Sequence, residues 1–300
     1  MAQEPQDAEA RRHSRRLTPR VLRRAAVLVA LIAVCATGLG LYLNARSTQQ
    51  RTIVVGSQHA ADRIDVIATI QNVDTTAGVM TMRLEVDPQG KYSDDDGTNS
   101  PSTALTLETT SQRQGTITLP AHQRILTLSV PISLDDGDEA DYPFDRYSAV
   151  VGVGVAAAGT IVPVSLTVRN TDALFSPKNQ GSLASPGDAV YLDLRVGRSR
   201  GTFILAWFMI AMNWALSLSV LAAALVIGGL RRGLVYPALG WMAATMFAMV
   251  SLRNAAPGSP PIGSLLDYVS FFWAEAITAV ALVYVVVCGV RVESAAAREA

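Results

Sequence analysis

Glu139-Ala-Asp-Tyr-Pro-Phe-Asp-Arg-Tyr-Ser148 lies between two strand-like runs and upstream of three long apolar segments. With Tyr142-Pro143-Phe144-Asp145 at its centre, the stretch marks where a β-domain outside the membrane is expected to face a helical bundle. Half of the residues are hydrophobic, but they are unevenly spread. Residues 25–43, 202–229, 234–252 and 268–290 are nearly continuous apolar runs. Each has about the length that a helix needs to cross a bilayer, roughly 20 residues. Residues 44–201 form a polar segment too long for a loop and long enough for a core of its own.

The net charge of zero hides an asymmetry. Residues 1–24 carry Arg11, Arg12, Arg15, Arg16, Arg20, Arg23 and Arg24, whereas 44–201 hold 18 acidic and 13 basic residues. A basic arm beside an apolar span follows the positive-inside rule, so it reads as cytoplasmic and calls for no nucleic acid. A cleavable signal peptide is the rival reading of 1–43. Against it stand the length of the apolar run and Leu43-Asn-Ala45, which lacks a small residue three before a cut. Val34 before Cys35 also lacks the small residue that lipid attachment wants. An uncleaved first span with the N-terminus inside is the favoured reading. Cys35 and Cys288 both fall in spans, so the outer domain has no disulfide and depends on its hydrophobic core.

Residues 44–201 read as β. Arg63–Gln71 and Gly78–Val86 alternate apolar with polar residues and are joined by Asn72-Val-Asp-Thr-Thr-Ala77, a hairpin pattern with one wet face. Further strands are expected at Ala104–Thr109, Gly115–Leu119, Ile125–Leu134, Tyr147–Val155, Ile161–Val168 and Ala189–Val196. Short strands without helical period argue for an antiparallel sandwich. Gly152, Gly154 and Gly159 point to a bulge or close packing. Two acidic runs, Asp94-Asp-Asp-Gly-Thr-Asn-Ser100 and Asp135-Asp-Gly-Asp-Glu-Ala-Asp141, lack the spacing and distal glutamate of a calcium loop. They read as solvated turns, with cation binding as the alternative.

The second span ends at Arg231-Arg232, which assigns that end to the cytoplasm. The third returns, 253–267 is an outer loop stiffened by Pro257, Pro260 and Pro261, and the last ends at Arg291 before a cytoplasmic tail, 291–300. Trp207, Tyr268 and Trp273 fall near the outer ends, where aromatic belts belong. The expected fold class is therefore α+β: an extracytoplasmic β-sandwich with one N-terminal and three C-terminal membrane helices, both termini inside.

No catalytic constellation is legible. His13, His59 and His122 are scattered, and there is no serine elbow, phosphate-binding glycine loop or His/Cys metal spacing. No cofactor or metal is expected, and the chain does not read as an enzyme; a transporter or enzyme subunit stays open as the third reading, after a binding or structural protein and a channel relative. Glu275, within the last span, is the sharpest single residue, because an ionisable group there is paired or functional. Arg253 at the end of the neighbouring span is its expected partner, the alternatives being a protonated Glu275 hydrogen-bonded to a neighbouring helix and an ion or proton contact. Asn213 reads as an interhelical hydrogen-bonding residue.

Asp141-Tyr-Pro-Phe-Asp-Arg-Tyr147, Leu252-Arg-Asn-Ala-Ala-Pro-Gly-Ser-Pro-Pro-Ile-Gly263 and Phe271-Phe-Trp-Ala-Glu275 resemble an uncharacterised actinobacterial membrane-protein family, domain-of-unknown-function family 4436, over most of the chain beyond the basic arm. That resemblance implies a cell-membrane location and no activity. Tyr142-Pro143-Phe144-Asp145, with Asp65–Asp74 and Met80-Thr-Met82, is also similar to motifs of pentameric ligand-gated channels. There the Pro-Phe-Asp loop rests on the linker between the second and third channel spans, here Arg253–Asp267, which implies an Asp145–Arg253 pair. The chain departs from that family in its extra first span, the missing fourth channel span, its short outer domain, and a candidate pore helix, 237–252, with Thr245 and Ser251 as its only hydroxyls. The residues taken forward as structural or coupling candidates are Tyr142, Pro143, Phe144, Asp145, Arg253 and Glu275. The expected partners are the lipid bilayer, an envelope protein or small ligand on the outer domain, and further copies of the chain.

Overall fold

The computed structural model describes residues 28–29, 32–33, 36–40, 43, 52–94, 99–113, 115–183, 189–230 and 233–299. The basic arm, Cys35, residues 95–98 of the first acidic run and Arg231-Arg232 lie outside the described residues. The chain divides into two units, 1–46 and 47–300. In the first, the described residues of the expected first span are helical and exposed.

Among the described residues of the second unit, eleven strands build two facing sheets. One has the order β1(Ile53–Gly56), β9(Val164–Asn170), β2(Ile64–Asp74), β3(Val79–Pro88), β6(Leu128–Ser133). The other has the order β10(Phe175–Leu183), β11(Val190–Arg198), β7(Arg146–Ala157), β4(Leu105–Thr109), β5(Thr116–Leu119), with β8(Thr160–Ile161) beside β7. Successive side chains of a strand point to opposite faces, so every second residue is core. Ile64, Val66, Ala68 and Ile70 of β2 face Met80, Met82, Leu84 and Val86 of β3 in one layer. Ala149, Val151, Val153 and Val155 of β7, with Leu192, Leu194 and Val196 of β11, fill the other.

Three expectations are corrected here. The sandwich is mixed, because β9 enters between β1 and β2 and runs parallel to β2. The single strand expected at 161–168 is split: Ala158 and Gly159, both at positive φ, turn β7 back into the two-residue β8, and Pro163 precedes β9. β1 and β10 were not foreseen; β1 has four residues, while β10 carries Pro177, mostly polar residues and a bulge on a sheet edge. Gly152 is a close-packing position, where a Cβ would stand 2.7 Å from Thr110 Cγ2 and 2.8 Å from the Tyr191 ring.

The helices follow without a linker. Ser199 alone separates β11 from α1(Arg200–Gly229), and its hydroxyl accepts from Thr202 N as N-cap. α2(Tyr236–Asn254) opens on Pro237, whose fixed φ suits a first turn. A π-helical turn, Asp267–Phe271, leads into α3(Phe272–Glu299). α1 and α3 run parallel: Asn213 meets Ser270 near one end, and Gly228 leaves room for the Tyr284 ring near the other. α2 is antiparallel to both, with Arg253 on Asp267 and Leu234 against Gly289. Small residues line the crossings, as suits helices that pack by close approach: Ala206 and Ala224 on α1, Ala274, Ala281 and Gly289 on α3.

Among the described residues, two helices are long and apolar enough to cross a membrane, Arg200–Gly229 and Asp267–Glu299. α2 occupies the expected third span but is not one of them. Tyr236, Gly240, Thr245, Ser251 and Arg253 dilute its 19 residues. The expected tail at 291–300 is helical through Glu299, and the expected outer loop loses Arg253 and Asn254 to α2.

Candidate functional site

The loop from β6 to β7 is shaped before it reaches the helices. Asp138 caps a single 3-10 turn, Glu139–Asp141, by accepting from Ala140 N at 2.9 Å. The second acidic run is thus partly a capping device. Tyr142-Pro143 is a cis peptide, and Phe144 N donates to Asp141 O at 2.7 Å. This turn delivers the Tyr142 ring, fully buried, against Ala206 and Met209 of α1 and against Ala256 and Leu266 of the α2–α3 connection. Pro143 is buried beside it, and half-exposed Phe144 meets Phe203 of α1 edge-on at 5.0 Å.

Asp145 does not pair with Arg253. Its carboxylate accepts from Arg198 Nε at 2.9 and 3.0 Å, from Arg198 Nη2 at 2.8 Å, and from the Tyr147 hydroxyl at 3.1 Å. Arg198 ends β11, one residue before the N-cap of α1. Its side chain is 2% exposed and Asp145's is 0% exposed. The guanidinium lies 4.3 Å from the Phe175 ring centre and 5.0 Å from that of Tyr142, so cation–π attraction adds to the ion pair. Burial pushes the Tyr142 phenol up to about 12. Burial, and then the neighbouring Asp145 carboxylate, pushes Tyr147 up as well.

Arg253 does not pair with Glu275 either. It makes a two-pronged contact with Asp267, Nε to Oδ1 at 2.9 Å and Nη2 to Oδ2 at 2.8 Å, and Nη2 also donates to Pro261 O at 2.8 Å. Gly263 N completes the cradle on Asp267. The pair closes the α2–α3 connection on which Tyr142 rests. Glu275 stands apart, with Oε1 buried and without a partner among the described residues. Asn213 donates to Ser270 Oγ at 3.5 Å, between helices as expected.

Sequence reasoning missed Arg198, Asp267, Tyr147 and Phe203. Arg198 is one of three arginines in Arg195-Val-Gly-Arg-Ser-Arg200. The available signal was the lapse of alternation at Gly197, just where β11 runs into a span. Asp267 was counted as the last residue of a loop, whereas it opens the helix.

Elsewhere, Asp94 holds His122 Nδ1 at 3.1 Å. Among the described residues no group of three or more His, Cys, Asp or Glu gathers as metal ligands. The sandwich carries an outer cleft of about 480 Å³, lined by Asn72, Asp74, Thr81, Ser111, Gln112 and Arg113 among others.

Comparison with known families divides the chain at this junction. Residues 54–196 match the model of the Domain of unknown function (DUF4436), a shorter reach than the motifs implied. Residues 198–292 match a second model, the Domain of unknown function (DUF8686). No curated protein matches the chain. The sandwich is thus similar to one uncharacterised family and the helices to another, and the boundary between them falls at Gly197, one residue before Arg198.

Proposed function

We propose that this is an integral protein of the cell membrane, with four spans and both termini inside, whose outer sandwich binds an envelope protein or small ligand, and that it is not an enzyme. The observation that carries this reading is the buried junction. A binding domain that only needed tethering would need no desolvated Asp145–Arg198 pair and no aromatic ring sunk between helices. Such contacts hold the cleft-bearing sandwich in one orientation above the bilayer. Exposed Trp207, Tyr268 and Trp273 suit the outer interface of that bilayer.

A second reading, a divergent relative of pentameric ligand-gated channels, is favoured by the seat of Tyr142 on Ala256 and Leu266, in the linker where that resemblance puts the loop. In either reading, Ser182→Cys on β10, in a chain without Cys35 and Cys288, should react with an impermeant maleimide on intact cells. Labelling only after permeabilisation would overturn the topology. Native mass spectrometry from nanodiscs then separates the two readings. A pentamer selects the channel relative, and a monomer or dimer selects the binding protein.

A further inference from the structure

The core of the helical bundle is interrupted. At the sandwich end, Ala206, Met209, Ala256 and Leu266 close around Tyr142. Towards the other end, Val220, Ala224, Met242, Ala281 and Val285 form a separate apolar cluster. Between the two, α1 presents Asn213 and Ser217, one turn apart and 2% and 0% exposed, while the π-helical turn contributes buried Ser270, α3 buried Thr278 and α2 buried Thr245. A polar layer thus crosses a bundle whose first and last helices are among the most apolar segments of the chain.

The hydroxyls of Thr245, Ser270 and Thr278 are satisfied on their own helices, by Trp241 O, Leu266 O and Ala274 O. Three other oxygens are not. Asn213 Oδ1, Ser217 Oγ and Glu275 Oε1 are buried without a partner among the described residues. The helix register places them within about a turn and a half of one another along the bundle. With Asn213 beside Ser270 on parallel helices, Ser217 stands four residues further along α1 and level with Ala274-Glu275 of α3. Glu275 shares a seven-residue stripe with Leu282 and Gly289, and Gly289 packs on Leu234, so Glu275 enters from the side of α2. The π-helical turn just before it is a feature often found at functional sites.

A buried polar atom without a partner is costly, and more so where no water can reach it from lipid. Three such atoms within about a turn and a half of one bundle are explained by a ligand that accepts oxygen donors. One carboxylate with an amide and a hydroxyl oxygen supplies a single negative charge, too little for calcium, which takes six to eight oxygens and usually several carboxylates. Arg253, committed to Asp267 and Pro261, is not available to neutralise Glu275. We propose that Asn213, Ser217 and Glu275 bind a sodium ion inside the helical bundle. The inference rests on the membrane reading, whose labelling test is separate and can fail on its own.

Carbodiimide labelling tests it. Dicyclohexylcarbodiimide modifies a protonated carboxyl in apolar surroundings, and a carboxylate holding a cation is protected. With the full chain in nanodiscs and peptide mass spectrometry as readout, sodium chloride should slow labelling of Glu275 about tenfold relative to choline chloride of the same strength, the factor of about 1.4 kcal/mol. Asn213→Ala and Ser217→Ala should still be labelled and should lose the protection. Equal labelling in both salts, no labelling in either, or protection that survives both substitutions overturns the site. Melting supplies a second measurement should a variant misfold. Sodium should raise the Tm of the unaltered chain and leave Glu275→Gln unmoved, and a Tm equal in both salts for the unaltered chain counts against the site.

Discussion

The Tyr142 hydroxyl is a polar atom in an apolar seat, buried without an acceptor among the described residues. Its ring does the packing, among Ala206, Met209, Ala256 and Leu266. Removing an unsatisfied buried hydroxyl costs little or stabilises, because its lost hydration is no longer uncompensated. Tyr142→Phe should therefore melt no lower than the unaltered chain at neutral pH. The same burial raises the phenol from 10.0 to about 12, so the fold favours the neutral form. That contribution is complete below pH 10 and is lost as pH rises to about 12. Tyr142→Phe should flatten this alkaline loss, leaving the part due to Tyr147. Thermal melts across that range check both points, and a steeper loss in the variant would contradict them.

At the scale of the element, β7 is the central strand of its sheet, and its solvent-side glycine is a packing residue. A side chain at Gly152 would run into Thr110 and Tyr191, which flank it from the turn after β4 and from β11. Gly152→Val satisfies β-propensity and still overpacks the site, so it should cost about 1–3 kcal/mol by denaturant unfolding. Unchanged stability would mean that Tyr191 swings away freely. The long strands β2, β3, β7 and β11 were legible because each is nine residues or longer and core positions recur at every second residue over at least seven of them. β1 and β10 were not, because four residues carry no period and a polar edge strand has no core face to advertise.

Across the whole molecule, the two matched regions are joined by buried groups drawn from both. Asp145 belongs to the sandwich loop, Arg198 to the strand that becomes α1, and Phe175 and Tyr142 cover the guanidinium from two sides. Arg198→Leu would leave a buried carboxylate without its cation, which costs about 3–5 kcal/mol. The unaltered chain should melt in one calorimetric transition. In Arg198→Leu the sandwich and helices should separate into two, and adding Asp145→Leu should largely restore a single transition, since an apolar replacement of a buried pair is often neutral. A single unshifted transition in Arg198→Leu would show that the junction does not couple the two parts.

The sequence alone determined the kind of element at most positions. Period-two alternation marks half-buried strands, and the apolar runs at 202–229 and 268–290 mark helices long and apolar enough to cross a membrane, because both signals are local and repeat within each segment. It also singled out Tyr142-Pro143-Phe144-Asp145 as the place where the sandwich faces the helices. The tertiary structure decided the partners. Asp145 was expected on Arg253 and lies on Arg198, 53 residues away in sequence; Glu275 was expected on Arg253, which lies on Asp267. Charge pairing depends on the helix register, on how far α2 extends, and on which strand ends beside the loop. None of these leaves a periodic trace, so a charge could be recognised in the sequence while its partner was settled only by how β11 enters α1 and how the α2–α3 connection closes.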